Sequence, residues 1–508
     1  MERYTIYHCH TNRSLLDSCT DYKEYVDRVA ELGHKALAFT EHGNIYNWIE
    51  KKMYVNSKGL KYIHGVECYL TASLEEKVRD NYHTILLAKN YEGVKEINLL
   101  IDKSTQPDHR YYKPRITFEE FFNISDNVIK ISACLASPLN KYPKDIQKQI
   151  AEKSAALKQE LANKVVELKK QKNDQKAMIK WFKQFDDFEE EELPWVINGC
   201  IPRDSYLHYI EAQIDKLKQY YDNLLEEVQL MNVTARETFY KLLEKYDYYE
   251  IQPHDFPEQK RYNEFLYAAS KQTGKPLIAG TDTHSIDYYK AECRSILQKA
   301  KRIEYADEDK FDLTLKTYEE LVEMFRIQNC DIPFDVILQA IENANVMADS
   351  VTDFELDTSV KYPKLYDNEE EVLKKRIFDK LHEKIDAGII KKEKIPEYVK
   401  RIKEEMRVFK KINMIGFMLF MSELVCWCWE NGIPVGPCRG SVGGSTVAYI
   451  TDIIDVDPVI WNTIFSRFAN EDREEVGDID LDISPDQREL VYNHIIESFG
   501  YDKTAYIL

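Results

Sequence analysis

Short apolar runs at residues 4–8, 36–40, 62–66, 84–88, 128–131 and 276–279 punctuate the first part of the chain, each giving way to polar or charged residues. Between them lie stretches such as residues 22–32, whose apolar positions recur at helical spacing. Runs of this length are strands, and strands that alternate with helices restrict the fold to an α/β layered or barrel domain. In such domains ligands collect at the carboxyl ends of the strands. The residues that end each run are therefore the first candidates for a site.

At 508 residues the chain exceeds the size at which one hydrophobic core keeps growing, so two or three domains are expected. The α/β rhythm occupies residues 1–290. It is interrupted at 144–245 by a segment rich in Lys, Gln, Glu and Asp with Leu and Val at helical spacing, which reads as a helical insertion. The acidic knot at 186–192 caps or follows a helix in this reading, with no metal role. Residues 291–412 read as mainly helical, and a further α+β unit begins at 413 and runs to 508. The ten cysteines contain no CxxC pair, which argues against a disulfide framework or a zinc ribbon and fits a reducing compartment. No apolar run approaches the roughly 20 residues needed to span a bilayer, and the first residues lack the layout of a signal peptide, so a cytoplasmic protein without a membrane partner is expected. A formal net charge of −19 excludes a protein that grips nucleic acid with its whole surface. Any DNA contact must be local.

Metal-competent residues cluster where the strand rule places a site. His8 and His10 flank Cys9 at the end of the first run, and the two-residue period of a strand puts both imidazoles on one face. Asp282 and His284 follow the run at 276–279 in the same way. His42, Glu67 and Cys134 come after the second, third and fifth runs, while Asp17 and His83 lie on a nearby loop and strand start. Imidazole, carboxylate and one thiolate form the donor set of Zn²⁺, Mn²⁺ or Fe, in number enough for two or three ions, and such clusters hydrolyse phosphate esters. Lone histidines such as His34 and His109 read as structural. The series, with the Thr40-Glu41-His42-Gly43-Asn44 stretch, resembles the polymerase and histidinol phosphatase (PHP) domain. Tyr111-Tyr112-Lys113-Pro114-Arg115 and Glu250-Ile251-Gln252 are similar to the version in bacterial C-family replicative DNA polymerases. The resemblance implies a PHP-type (β/α) barrel, a complete set of nine ligands holding Zn²⁺ or Mn²⁺, and 3′→5′ exonuclease activity.

The second constellation lies near the end of the sequence. In Gly477-Asp478-Ile479-Asp480-Leu481-Asp482-Ile483 strand alternation puts Asp478, Asp480 and Asp482 on one face, where three carboxylates repel one another unless cations intervene. Upstream, residues 436–445 form a Gly/Ser-rich turn, with Gly436, Gly440, Ser441 and Ser445 offering backbone amides to a triphosphate and Arg439 offering a charged contact. These residues, together with Asp455-Val456-Asp457-Pro458 and Phe465-Ser466-Arg467-Phe468, are similar to the palm of the same polymerases. That likeness implies Mg²⁺ bound by Asp478 and Asp480, with Asp482 close behind, and an incoming dNTP held by Arg439, Gly440 and Ser441. It also implies primer-template DNA as a partner, and it leaves a third palm carboxylate, the thumb and the fingers to a second polypeptide or a missing C-terminal region; a sliding clamp is a further candidate partner. Under this reading the chain alone does not polymerise, whether it is one half of a split or phage-encoded enzyme or a truncation. Two alternatives stand beside it: a freestanding PHP phosphoesterase acting on a small phosphate monoester, and a non-catalytic scaffold in a replisome.

Overall fold

The computed structural model describes residues 3–75, 80–182, 201–303, 311–357, 364–471 and 477–504. The chain packs as two units, Met1–Glu355 and Leu356–Leu508. In the first unit the order is α1 (Tyr22–Glu31), β1 (Ala36–Phe39), α2 (Trp48–Ser57), β2 (Lys61–Thr71), β3 (Tyr82–Ala88), α3 (Tyr91–Ser104), β4 (Arg115–Thr117), α4 (Phe118–Asn123) and β5 (Val128–Ile131). There follow α5 (Pro138–Gln171), α6 (Gln175–Phe182), α7 (Ile201–Lys245), β6 (Tyr249–Ile251), α8 (Pro257–Thr273), β7 (Leu277–Ala279), α9 (Tyr288–Lys301), α10 (Tyr318–Gln328) and α11 (Phe334–Ser350). Helix starts are chemically marked: Asp21 caps α1 in a reciprocal box with Glu24, and Thr117 does the same for α4 with Glu120.

The strands close into a ring. β1 pairs parallel with β2, β2 antiparallel with β3, and β3 antiparallel with β5, so β3 alone runs against its neighbours; β4 pairs with the end of β2 off this path. A parallel bridge between Ile131 and Tyr248 leads on to β6, which pairs parallel with β7. The N-terminal segment closes the gap, with Ile6 bridging Leu37 on one side and Cys9 bridging Thr283 on the other. This is the α/β barrel expected from the sequence, with its first strand reduced to isolated bridges.

Alternation along the strands sorts side chains into two layers. Ala36, Ala38, Ile63, Ile85, Leu87, Ile129, Ile131 and Ile278 fill the barrel interior. Leu37, Phe39, Val66, Leu70, Leu86 and Val128 point outward beneath the helices. Ala344, Met347 and Ala348 of α11 join the interior cluster, and Leu321, Phe325, Ile337 and Ile341 of α10 and α11 join the outer one. The domain boundary expected at 290 is thereby corrected to 355, because the barrel core is completed by helices well beyond residue 290.

Helices α5 and α7 pack against each other along much of their length. α5 has 34 residues, a length of roughly 50 Å, and cross-links to α7 through Gln147–Asn232, Lys164–Tyr221 and Lys172–Glu211. Its base is anchored by Leu139, Tyr142, Ile146 and Ile150, which join the outer barrel core with Leu242 and Leu243 of α7. The helix begins at Pro138, ahead of the expected start of the insertion. The acidic knot at 186–192 lies outside the described residues.

The second unit comprises α12 (Glu369–Asp386), α13 (Ile395–Lys411), α14 (Ile415–Glu430), α15 (Thr446–Ile450) and α16 (Arg488–Phe499). α14 is apolar on nearly every side because it is a core helix, burying Met418, Leu419, Leu424 and Val425. No single described helix is long and apolar enough to cross a membrane. The strand expected at residues 477–483 is corrected to an extended segment: only Ile483 bridges, to Val435, and the Gly436 amide donates to the Asp482 carbonyl at 2.9 Å. Extended backbone becomes a ladder only where a neighbour pairs along it.

Glu405 on α13 holds the glycine-rich turn. Its buried carboxylate accepts from Ser445 Oγ at 2.7 Å and from the amides of Thr446 and Val447 at 2.8 and 2.9 Å, satisfying free donors at the start of α15. Glu405→Ala would leave these donors buried and unpaired. The expected outcome is a local loss of about 3 kcal/mol, seen as faster amide hydrogen exchange across residues 441–451 while the barrel's exchange is unchanged.

Candidate functional site

Where strands end, the barrel interior turns from apolar to ionisable. On β3 the inward column reads Leu87, Ile85, His83, and on β2 it reads Ile63, Gly65, Glu67. Because β3 is antiparallel, its first residues lie at the same rim as the last residues of the parallel strands, which is why His83, at a strand start, shares the site. β2 runs on to Thr71, so Glu67 sits within the strand, not after it as the sequence suggested. Asp282 and His284 are presented by a turn beyond β7, with Asp282 in the left-handed region at φ 47°, so strand alternation is not what aligns them. Leu16 and Ala133, the residues before Asp17 and Cys134, also have positive φ, and such backbone strain persists only where surrounding structure imposes it.

All nine expected ligands come together. Glu67, fully buried, lies 2.5 Å from His42 Nδ1, 2.8 Å from His83 Nδ1, 3.5 Å from His8 Nε2 and 3.9 Å from His10 Nε2. Asp282 Oδ1 lies 3.0 Å from His8 Nε2, 3.4 Å from His10 Nε2 and 3.5 Å from His284 Nδ1. Asp17 Oδ2 reaches His42 Nε2 at 2.8 Å and His284 Nε2 at 3.3 Å, and Cys134 Sγ is 3.7 Å from His83 Nδ1. Asp17, His42, His83, Cys134, Asp282 and His284 border a cavity of 640 Å³.

Several supporting groups had no place in the sequence reading of the ligands. Glu250 Oε1 accepts from His8 Nδ1 at 2.8 Å, which turns Nε2 inward. A Cβ on Gly280 would lie 2.6 Å from the Glu250 carboxylate, so the barrel wall there must be glycine. Ser14 accepts from His10 Nδ1 at 3.0 Å and donates to Glu41 at 2.6 Å, and Glu41 is held in turn by Lys51. Arg294 and Gln298, the buried face of α9, both bind Asp17 Oδ1. Two polar residues four apart on an otherwise charged helix were the available signal. Of the lone histidines, His34 packs edge-on against Tyr4, and His109 bridges Asp108 and Glu120.

The electrostatics mark this cluster as a cation site. Burial alone would raise the carboxyl of Glu67, but His83 and His42 hold it well below its usual range; His8 and His284 do the same for Asp282. Burial would lower His42, yet Glu67 and Asp17 raise it to about 10, and Asp282 and Glu250 raise His8 well above its ordinary value. His10, also buried, is pushed down to about 3 with help from His42 and His284. His8 Nε2, His10 Nε2, His42 Nδ1, both Glu67 oxygens and Asp282 Oδ1 are buried and crowd one another at these short separations without an aligned hydrogen bond. Three overlapping triads, His10–His42–His284, His8–His10–Glu67 and His42–Glu67–His83, each bring ligand atoms within 4.8 Å of one another. Orphaned donors of this kind fit divalent metal ions.

In the second unit Asp478, Asp480 and Asp482 share the exposed face of their segment, and Ile479 and Leu481 pack toward the core. Gly436 lets the turn close on this segment, since a Cβ there would lie 2.8 Å from that of Asp482. Arg439 Nη1 is 3.1 Å from Asp482 Oδ1, and its Nε is 3.9 Å from Asp480 Oδ2. Arg439 and Gly440 are exposed. Ser445 is not available to a nucleotide: it is buried, donates to Glu405 and accepts from the Ala448 amide, which corrects the expectation placed on it.

Residues 7–171 match the PHP domain family, and residues 371–508 match the bacterial DNA polymerase III alpha NTPase domain. The chain carries both domains. It is 27% identical to the DNA polymerase III subunit alpha of Aquifex aeolicus over 99% of its length, 26% to that of Chlamydia pneumoniae over 99%, and 26% to that of Campylobacter jejuni over 100%. It spans 38% of the length of each of these relatives, corresponding to an N-terminal portion.

Metal must displace the protons that the raised His8 and His42 carry in the metal-free PHP domain. In that state the two imidazoles favour the fold fully below their ordinary pKa, and this contribution is lost as pH rises through the raised values, about 10 for His42. Affinity for Mn²⁺ or Zn²⁺ is therefore expected to fall as pH falls, with proton release visible in titration calorimetry as a dependence on buffer ionisation heat. Glu250→Gln is expected to weaken binding about 10- to 100-fold in the same experiment, because Nδ1 of His8 loses its anionic partner.

Proposed function

We propose that the chain is the N-terminal part of a replicative DNA-directed DNA polymerase, in which the PHP domain removes nucleotides from DNA 3′ ends and the NTPase domain supplies metal-binding carboxylates and the incoming-nucleotide turn. The observation that carries the hydrolytic half is the convergence of nine metal-competent side chains at one rim of the barrel, five of them with buried ligand atoms that lack an aligned hydrogen bond. Bound there, two or three divalent ions, Zn²⁺ or Mn²⁺ by donor type, would supply an acidified water and a clamp on the phosphate oxygens. The protein's own contribution is rigidity. Glu250, Ser14 and the Asp282 carbonyl fix three imidazoles through their outward nitrogens, and Arg294 with Gln298 fixes Asp17.

For the polymerase half, Asp478, Asp480 and Asp482 are assigned to Mg²⁺, and Arg439, Gly440 and Ser441 to the triphosphate of a dNTP, with primer-template DNA as the second substrate. Arg439 neutralises Asp480 and Asp482 until cations arrive and is then released toward phosphate. The relatives extend well beyond the aligned region, and template-directed synthesis is assigned to the assembly that includes that further part.

The test is incubation of the purified chain with Mn²⁺ or Zn²⁺ and a 5′-labelled single strand or mismatched primer. Metal-dependent shortening from the 3′ end is expected, abolished by Asp282→Asn and by His10→Ala, with no primer extension when dNTPs and Mg²⁺ are supplied. No shortening by a chain whose bound metal is confirmed by elemental analysis would refute the nuclease assignment; extension by the chain alone would refute the assignment of synthesis to the larger assembly.

A further inference from the structure

A second cavity, of 520 Å³, adjoins the metal cavity: Asn140, Lys144 and Glu258 border both. It lies at the base of the helical hairpin, between α5, α7 and α8, and its wall is mostly apolar with a basic edge. Phe265, 36% exposed, projects from α8 with its ring 6.1 Å from that of Phe239 on α7. Arg236 on α7 is exposed at the edge, and Arg261 is tied to Glu258 at 3.0 Å, which leaves that carboxylate already neutralised. Lys144 stands between the cavities, its ammonium donating to Asn140 at 2.6 Å with two further donors to spare. On the metal-cavity side the exposed Lys113 and Lys141 continue the basic border. In a chain of net charge −19, this run of cations beside an exposed aromatic ring is a local reversal of the overall charge.

We infer that the second cavity binds single-stranded DNA, receiving the nucleotides next to a 3′ end that lies in the metal cavity. A basic track with aromatic faces is the arrangement by which proteins hold single strands regardless of sequence: cations follow the phosphates and bases stack on rings. Phe265 is the stacking platform, Arg236 and Lys144 are the phosphate contacts, and continuity through Asn140 and Lys144 carries the strand from one cavity to the other. A small phosphate monoester would fill the metal cavity and have no use for its neighbour. The inference rests on the nuclease reading for its choice of DNA, but it can be tested apart from it.

The experiment is fluorescence anisotropy of the whole chain with a 5′-labelled ten-nucleotide single strand in EDTA, where nothing is cleaved. Phe265→Ala and Arg236→Gln, both at exposed positions, are each expected to weaken binding about tenfold. Tyr220→Ala, an exposed aromatic on α7 outside either cavity, is expected to leave binding unchanged and controls for general stickiness of the hairpin. Equal effects of Tyr220→Ala and Phe265→Ala, or none from Phe265→Ala and Arg236→Gln, would overturn the inference. Cleft-dependent binding without shortening in Mn²⁺ would uphold it and sink the nuclease assignment. Shortening at the parent rate by the Phe265→Ala/Arg236→Gln double variant, at strand concentrations below saturation, would do the reverse.

Discussion

Glu67 is a carboxylate built into the wall of a closed barrel, without exposure to water, and four histidines from three different parts of the chain approach it. Removing a carboxylate from water costs several kcal/mol unless positive charge and directed donors replace the solvent. In the metal-free protein that charge is protons on His42 and His8. With metal bound it would be the ions themselves. Either way the rim of the barrel must deliver cationic or cation-binding groups from every side, and the strand order, the reversed β3 and the strained turns at Leu16, Ala133 and Asp282 all serve that delivery.

The same demand explains the depth of the supporting shell. An imidazole used for metal binding has one nitrogen to spend inward, and the outward nitrogen must be held or the ring will rotate. Glu250 and Ser14 hold the outward nitrogens of His8 and His10. Glu41, itself buried, is made tolerable by Lys51, which sits at 2.5 Å and is equally buried. Polar pairing thus extends two layers out from the cavity before reaching the apolar helix interface, while on the other side of the ligands the interior becomes Ile, Leu and Ala within one strand residue. The plug of Ala344, Met347 and Ala348 from α11 keeps that lower layer dry.

The side chains that converge at the barrel rim were legible in the sequence because strand-end position and donor chemistry are both local properties. His8 and His10 fall on one face by period alone, and the run at 36–40 leads directly to His42. What the sequence left open depends on direction and partnership. Nothing in residues 82–88 announces that β3 runs backward, so why a strand start such as His83 shares the rim of the strand ends is apparent only once the ring is closed. Glu67 reads as a strand end because it is the charged residue that closes the apolar run at 62–66, although β2 continues for four residues past it. Residues 318–350 have ordinary amphipathic periodicity, which says that a helix is buried but not against what, and so the barrel's own plug was assigned to the next domain. Ser445 failed for a related reason: a Gly/Ser-rich turn offers equivalent-looking hydroxyls, and the one consumed by Glu405 is identified only by a residue forty positions away.

The two sites treat acidity in opposite ways. In the barrel the carboxylates are buried and their partners fixed, so exchanging protons for metal is costly in geometry and strongly coupled to pH. In the second unit Asp480 and Asp482 are about half exposed, and so is Arg439, their partner. Solvent-screened pairs of this kind contribute roughly 0–1 kcal/mol. Arg439 can therefore leave the carboxylates at little cost, which under the proposed function would suit a turn whose occupants come and go, whereas the buried barrel cluster would suit ions that stay.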